Sequence, residues 1–120
     1  MNSSEKKIYD LTNLNELCSF DKAVVAQLVQ TFITSTPTLF AELKNSLQNA
    51  SIPGIYEVNH QLKSAFALFQ VTEGTTIALA IEANTKDTSV NFETIKALTK
   101  KLDLLIQQLV SELKNDFNLA

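Results

Sequence analysis

A helical repeat of apolar residues near the end of the chain constrains the fold more than any other feature. Between residues 92 and 117, isoleucine and leucine recur at intervals of three and four residues, at Ile95, Leu98, Leu102, Leu105 and Leu109. This spacing places them on one face of a long α-helix and is typical of the seam of a helical bundle. Such a helix needs other helices to cover its apolar face, so the sequence predicts a bundle.

The scarcity of turn-forming residues favours the same architecture. Only two glycines and two prolines occur among the 120 residues, whereas sheet-rich proteins of this size build many turns on those residues. Apolar residues make up 45% of the chain, which is ordinary for a globular protein. We therefore expect one all-α domain over residues 1–120, an antiparallel four-helix bundle with one or two short extra helices, in which residues 1–8 are a frayed lead-in.

Capping residues and a proline divide the first half of the chain. Residues 10–13 can cap a short helix that continues through about Cys18, and Asp21 can cap the next helix, over residues 22–34. Pro37 either restarts a helix or kinks a continuous one, because proline lacks the N–H that a helix interior needs. The apolar stripe continues beyond it.

Clusters of polar residues, proline and glycine divide the second half. We expect a break at residues 49–54 and then a helix over 55–71, which ends at residues 72–75 around Gly74. A further helix holds residues 77–84 and is followed by a polar loop over 84–90. The final helix is expected over residues 92–117.

The helix predicted over residues 55–71 presents the only histidine of the chain, His60, to solvent. Its apolar face is formed by Ile55, Val58, Leu62, Ala65, Phe66 and Phe69. On a helical wheel His60 lies opposite this apolar face. Ser64 and Ala67 lie beside His60 on the outward side, and Lys63 lies one turn after His60. A neutral imidazole offers a ring nitrogen as a nucleophile, and the small neighbours leave room for a partner protein. A lone exposed histidine is more often a solvated residue without a function, so the wheel alone leaves the question open.

Residues 60–69, with the sequence HQLKSAFALF, resemble the signature of histidine-containing phosphotransfer (HPt) domains. That signature is a histidine with an apolar residue two positions on, a lysine three on and a small residue four on. The resemblance covers nearly the whole chain, from residues 9–11 to the final amphipathic helix. It implies that His60 is phosphorylated, that Lys63 helps to hold the phosphoryl oxygens and that Ser64 keeps the docking surface clear.

The resemblance also implies two roles on the following helix. Glu82, 22 residues after His60, matches the position at which family members place a Gln or Glu that hydrogen-bonds the far imidazole nitrogen. Lys86 matches a basic residue that some members carry one turn further along. The family favours glycine at the positions of Ser64 and Gln70. Serine is small enough to be harmless there, whereas Gln70 departs from the pattern at a backbone bend.

The function that the resemblance implies is a relay of phosphoryl groups between receiver-domain aspartates in a two-component phosphorelay. The two glycines of the chain cannot supply the glycine-rich motifs of a nucleotide domain, so we expect a phosphotransfer intermediate without kinase activity of its own. No cofactor is expected, since Mg²⁺ belongs to the partner receiver.

Docking is expected at Tyr56, Ala67 and Leu68 and on the helix of residues 10–18, although Leu68 could equally cover the core.

Composition bears on the remaining function classes. A net charge of −3, with ten lysines, no arginine and thirteen acidic residues, disfavours nucleic-acid binding. Cys18 is the only cysteine, so no internal disulfide is possible. No apolar run reaches the length needed to span a bilayer, and residues 1–7 are unlike a signal peptide, so we expect a cytoplasmic protein. The polar outer faces of the helices give no reason to expect an oligomer, so we expect a monomer. The alternative that stays open is a non-catalytic helical adaptor that binds receivers or another partner without accepting phosphate.

Overall fold

The computed structural model describes residues 7–86 and 90–119, and helices make up most of that part of the chain. They are α1 (Thr12–Leu17), α2 (Lys22–Gln48), α3 (Ile52–Leu68), α4 (Thr72–Lys86) and α5 (Phe92–Asp116). No strand occurs within those residues. The predicted all-α fold is confirmed.

The four long helices form a ring in which α2 and α4 each pack against both α3 and α5, and the short α1 packs against α2. The contacts of α2 with α3 show an antiparallel pair. The ring of Phe32, in the first half of α2, lies 4.2 Å from that of Phe69, just after α3. At the other end, Ser46 of α2 lies against Gly54 in the first turn of α3. Over the described residues, the chain forms a four-helix bundle with one short extra helix.

The apolar faces predicted from the sequence form the core of this bundle. The buried residues of the predicted face are Ile55, Val58, Leu62, Phe66 and Phe69, and Ala65 packs at their edge. The buried residues of the α5 seam are Ile95, Leu102, Leu105 and Leu109, with Leu98 partly buried. Burying one such side chain contributes about 1.5–3 kcal/mol, so both faces are strongly held inward.

Pro37 lies inside one uninterrupted helix, so of the two alternatives for this residue the continuous helix is correct. Proline removes one helical N–H. The buried residues Thr36 and Phe40 lie on either side of it and hold α2 against the core. The bundle therefore keeps α2 in one piece where an isolated helix would tend to break.

Within the described residues, α2 is the one helix long and apolar enough to cross a membrane by length and composition. By these two criteria alone, the prediction that no apolar run is long enough to span a bilayer is wrong. The helix contributes seven buried residues to the core, among them Val29, Phe32 and Leu43. Its outer side carries exposed polar residues such as Gln27 and Gln30. We assign it as a core helix of the bundle.

The start of α3 differs from the prediction. The Ser51 hydroxyl caps this helix by accepting a hydrogen bond of 3.2 Å from the N–H of Gly54. The helix therefore begins at Ile52, and the break predicted over residues 49–54 is confined to residues 49–51.

Gly74 lies inside a helix, so the prediction that residues 72–75 form a break is wrong. α4 already begins at Thr72, and Gly74 is buried in its first turn. An ideal Cβ built on Gly74 would lie 2.7 Å from Cγ of Phe66, closer than carbon atoms pack. Glycine is needed at this position because α3 and α4 approach closely, not because the chain turns.

The backbone bend after α3 forms at Gln70 without glycine. α3 ends at Leu68, and Gln70 adopts a φ of 51°. The N–H of Val71 donates to the carbonyl of Phe66 across the turn. The side chain of Gln70 accepts a 2.9 Å hydrogen bond from the N–H of Asn13, which attaches α1 to the end of α3. This contact offsets part of the roughly 1–2 kcal/mol cost of a side chain in the left-handed region.

The segment before α1 closes one end of the bundle. Lys7 forms an ion pair of 3.0 Å with Asp116, Ile8 packs against the core, and Tyr9 donates its hydroxyl to the same Asp116. Burial, followed by Asp116, raises the pKa of Tyr9, and the Tyr9 hydroxyl lowers the pKa of Asp116. The lead-in predicted to be frayed is thus held in place at its last two residues, and residues 1–6 lie outside the described part of the chain.

α4 ends later along the chain than the sequence predicts. The helix continues to Lys86, into the polar loop predicted over residues 84–90. Residues 87–89 of that loop lie outside the described part of the chain. α5 begins at Phe92, as predicted, with Asn91 as its cap: the side chain accepts a 3.0 Å hydrogen bond from the N–H of Thr94.

We predict that Gly74→Ala lowers the free energy of unfolding by about 2 kcal/mol, because the new methyl group must displace the buried ring of Phe66. Gly54→Ala is the matched control. Its Cβ would meet the hydroxyls of Ser46 at 2.6 Å and of the cap residue Ser51 at 2.9 Å. Hydroxyl groups can shift more easily than a buried ring, so we expect a smaller loss, of about 1 kcal/mol. Urea unfolding of both variants measures the difference, and equal effects would contradict the close approach of α3 and α4.

Candidate functional site

His60 lies in the middle of α3 and is exposed, as predicted. Gln61, Ser64 and Ala67 are also exposed, and His60 lines an open surface hollow together with Tyr56. The hydroxyl of Ser64 donates a 3.1 Å hydrogen bond to the carbonyl of His60, so it is directed back along the helix. The small side chains beside the imidazole leave a path for a partner protein.

Tyr56, one turn before His60 on α3, flanks the imidazole. The two rings are stacked, with centroids 6.3 Å apart and planes inclined by 16°. On α4, Lys86 places its Nζ 5.7 Å from the centroid of the Tyr56 ring, within the range of a cation–π contact. Tyr56 therefore lies between His60 and a positive charge on the neighbouring helix.

Glu82 of α4 joins two lysines beside His60. Its Oε1 accepts a 2.8 Å hydrogen bond from Nζ of Lys63, and its Oε2 lies 3.2 Å from Nζ of Lys86. Lys63 projects from α3 one turn after His60, so its ammonium is within reach of a group bound to the imidazole. We call these three residues the Lys63–Glu82–Lys86 cluster.

The contacts of Glu82 differ from those that the family resemblance implies. Among the described residues, both of its oxygens are engaged by lysines, and none of its hydrogen bonds goes to the His60 ring. What the structure shows is a carboxylate that holds Lys63. Its role in orienting the imidazole stays a prediction.

The charges of the cluster stabilise one another. The hydrogen bond from Lys63, and then that from Lys86, lowers the pKa of Glu82. Glu82 in turn raises the pKa of Lys86. Because the pKa of the carboxyl is lowered, the favourable pairing is fully present above the ordinary pKa of glutamate. It is lost as the pH falls through the lowered value.

The arrangement offers a nucleophile and an anion site. The imidazole is open to solvent, Lys63 follows it by one turn of α3, and Lys86 contacts the Tyr56 ring that flanks it. In residues 7–86 and 90–119, no group of three or more acidic, histidine or cysteine side chains is placed to hold a metal ion. The groups of this surface that could react with or bind a charged group include the His60 imidazole and the ammonium groups of Lys63 and Lys86.

Asn59 is a structural residue of the site that sequence reasoning missed. Its side chain is 1% exposed, and Nδ2 donates a 2.8 Å hydrogen bond to the carbonyl of Ala78 in α4. Because Asn59 directly precedes His60, this bond fixes α4 against the turn that carries the histidine. The available signal was an amide beside Val58 on the inward face of the helix, since buried amides need partners.

The apolar residues around the site partly follow the prediction. Tyr56 is 38% exposed and Ala67 is exposed. Leu68 is half-buried and packs against the core, which is the second of the two alternatives given for it.

Leu79 of α4 is an exposed apolar residue that the sequence analysis missed. It is 50% exposed and lies three residues before Glu82, on the same face of the helix. Helical spacing back from Glu82 could have found it.

The short helix α1 carries an exposed leucine, Leu17. Among the described residues, α1 packs against α2 and is attached to α3 through Gln70. That attachment lies about 15 Å along the α3 axis from His60, at 1.5 Å per residue. The predicted part of α1 in docking stays a prediction.

Comparison with known families assigns the chain. The family model of the Hpt domain matches residues 27–116, more than half of the sequence. The chain belongs to the Hpt domain family. No curated protein and no solved structure gave a match. An Hpt domain is a phosphotransfer module of two-component signalling that interacts with receiver domains, a carrier rather than a kinase. The matched range includes α3 and α4, and so every residue of the site around His60.

We predict that Lys63→Ala raises the pKa of Glu82 toward the ordinary value, because the variant removes the largest stabilisation of the carboxylate. Lys86→Ala removes the smaller one and should raise the pKa less. Carboxyl ¹³C NMR titration of Glu82 measures both shifts, with Lys100→Ala on α5 as the control for one lost positive charge. A larger shift in Lys86→Ala than in Lys63→Ala would contradict the order of these contacts.

Proposed function

We propose that His60 accepts a phosphoryl group from the aspartyl phosphate of one receiver domain and passes it to the aspartate of another. The observation that supports this most directly is the exposed imidazole in the middle of α3, one turn from Lys63, in a chain of the Hpt family. The protein is then a relay that takes its remaining catalytic groups from the receiver, without ATP-dependent kinase activity.

In the accepting step, the lone pair of one neutral imidazole nitrogen attacks phosphorus in line with the leaving oxygen. A nitrogen–phosphorus bond forms while the phosphorus–oxygen bond to the aspartate breaks, and the electron pair leaves with the carboxylate. The other ring nitrogen keeps its proton, so the phosphorylated ring is cationic until that proton passes to solvent. Delivery is the reverse reaction, with the carboxylate of the second receiver as the nucleophile.

Lys63 supplies the positive charge nearest to the reacting phosphorus. The transition state spreads negative charge over three oxygens, so a positioned ammonium stabilises it. Ser64 and Ala67 keep the approach to the ring open, and Lys86 adds positive potential behind Tyr56. We expect Mg²⁺ on the partner receiver and no cofactor on this chain.

The receiver is proposed to dock across α3 and α4. Tyr56 and Ala67 on α3 and Leu79 on α4 offer exposed apolar surface around the imidazole, and partner recognition generally uses such surface next to charged groups. The Lys63–Glu82–Lys86 cluster lies between the two helices, so docking would cover it and strengthen its interactions with the phosphoryl group.

The setting proposed for this relay is the cytoplasm, where the receivers would be its partners. The net charge of −3 without arginine supports a function without nucleic acid. The buried residues of α2 support a function without a membrane. We propose a monomer, because the function requires one chain and one receiver at a time.

We predict that His60→Gln abolishes phosphoryl uptake from a phosphorylated receiver while circular dichroism shows an unchanged fold, because the side chain is exposed and carries the only imidazole. The measurement is acid-labile label on the protein.

In the same assay Lys63→Ala should slow uptake by about tenfold or more. Lys100→Ala, on the opposite α2–α5 side of the bundle, should leave the rate of uptake unchanged. Label on His60→Gln would refute the assignment, and receiver binding without any uptake in the wild type would identify a non-catalytic adaptor.

We predict that Leu79→Ala weakens binding of a receiver domain by about tenfold, because a leucine buried on docking contributes about 1.5 kcal/mol or more. Leu104→Ala is the matched control, since Leu104 is 70% exposed on α5, away from His60. Titration calorimetry with the same receiver compares the two variants. Equal affinities would remove Leu79 from the docking surface.

A further inference from the structure

Lys63 is already paired before any phosphoryl group arrives. Its ammonium donates to Oε1 of Glu82 at 2.8 Å, and the other oxygen of Glu82 lies 3.2 Å from Lys86. The Glu82 side chain is 14% exposed and that of Lys63 is 24% exposed, so water screens this pair less than a fully exposed one. The cation expected to stabilise phosphohistidine is thus held by a carboxylate on the neighbouring helix.

We propose that Glu82 competes with the phosphoryl group for Lys63 and thereby makes His60 a better phosphoryl donor. This inference rests on the proposed function of His60. Glu82 acts through Lys63 and is a positioning residue, since its polar contacts among the described residues go to Lys63 and Lys86 rather than to the imidazole. In the resting protein it keeps the ammonium beside the site, and in the phosphorylated protein it opposes retention of the group.

The competition follows from the charges. A phosphoryl group brings nearly two negative charges to the imidazole, and these attract the ammonium of Lys63 away from Glu82. Once Lys63 turns toward the phosphoryl oxygens, the Glu82 carboxylate loses its nearer partner and faces a like charge across the α3–α4 groove. Both effects raise the free energy of the phosphorylated state relative to the resting one. The equilibrium with a receiver therefore moves toward the aspartyl phosphate.

The other charged residues of this surface separate the proposal from a general effect of charge. Glu57 is exposed on α3 and lies one turn before His60, so its carboxylate also repels a phosphoryl group. Among the described residues it has no ion pair with a lysine. Glu57→Gln therefore removes a carboxylate near His60 without releasing Lys63, which makes it the matched control for Glu82→Gln.

The test measures the phosphoryl equilibrium between the full-length protein and a purified receiver loaded with a small-molecule phosphodonor. We expect Glu82→Gln to raise the ratio of phosphohistidine to aspartyl phosphate by about threefold, the size of one screened charge interaction at short range. Glu57→Gln should raise it less. In the Lys63→Ala background the gain from Glu82→Gln should shrink to that of Glu57→Gln, because the proposed competition needs the ammonium.

A spectroscopic measurement reports the same competition directly. On phosphorylation, the ¹⁵N resonance of Lys63 Nζ should move further in the wild type than in Glu82→Gln, because only the wild-type ammonium leaves a carboxylate, while that of Lys100 should stay in place in both. A purely structural role of Glu82 would alter the unfolding free energy but give both proteins the same change in the Lys63 resonance. It would also leave the equilibrium ratio unchanged.

The two levels of the proposal fail in different ways. If neither the wild type nor any variant takes up label from the receiver, the proposed function of His60 is wrong. If the wild type is labelled but Glu82→Gln has the same equilibrium ratio as the wild type or a lower one, His60 keeps its function. The competition for Lys63 is then refuted. A gain equal to that of Glu57→Gln, or one that persists without Lys63, would also refute it.

Discussion

The close approach of α3 and α4 at Gly74 is the constraint on which the site depends. The buried glycine lies directly against the ring of Phe66, and a side chain at position 74 would push the two helices apart. Further along the same helix pair, Asn59 is bonded to the carbonyl of Ala78, and Lys63 reaches Glu82. A shift of one helical turn moves α4 by 5.4 Å. Such a shift would separate all of these partners at once.

The residues that define the bundle were predictable because burial follows helical periodicity. The inward face of α3 and the seam of α5 were found from spacing alone, and the exposure of His60 follows from the same wheel. Capping residues placed the start of α2 at Asp21, whose carboxylate accepts from the N–H groups of Ala23 and Val24. Each of these signals is local, since it depends on one helix and on the difference between apolar and polar side chains.

Several positions that the sequence could not settle are those whose contacts lie on another helix. Gly74 suggests a break from sequence because glycine disfavours helices, but its place is set by the ring of Phe66 across the interface. Gln70 lacks the flexibility of glycine and still forms the bend, and its side chain accepts a hydrogen bond from the N–H of Asn13 before the second turn of α1. The partner of Glu82 is equally non-local. The rotation and register of α3 and α4 decide whether its carboxylate meets the imidazole or Lys63.

The proposed relay needs a rigid framework and, at its surface, a charge that can change partner, and α3 and α4 offer both. The buried amide of Asn59 is satisfied on one side by a backbone carbonyl, and breaking such a bond leaves an unpaired polar group inside the protein. The pair of Lys63 with Glu82 lies at the edge, where solvent lowers the cost of exchanging one partner for another. A fully buried ion pair would hold Lys63 too firmly, because removing one partner strands the other without water. The same helix pair can therefore keep His60 in place while its neighbouring ammonium changes partner.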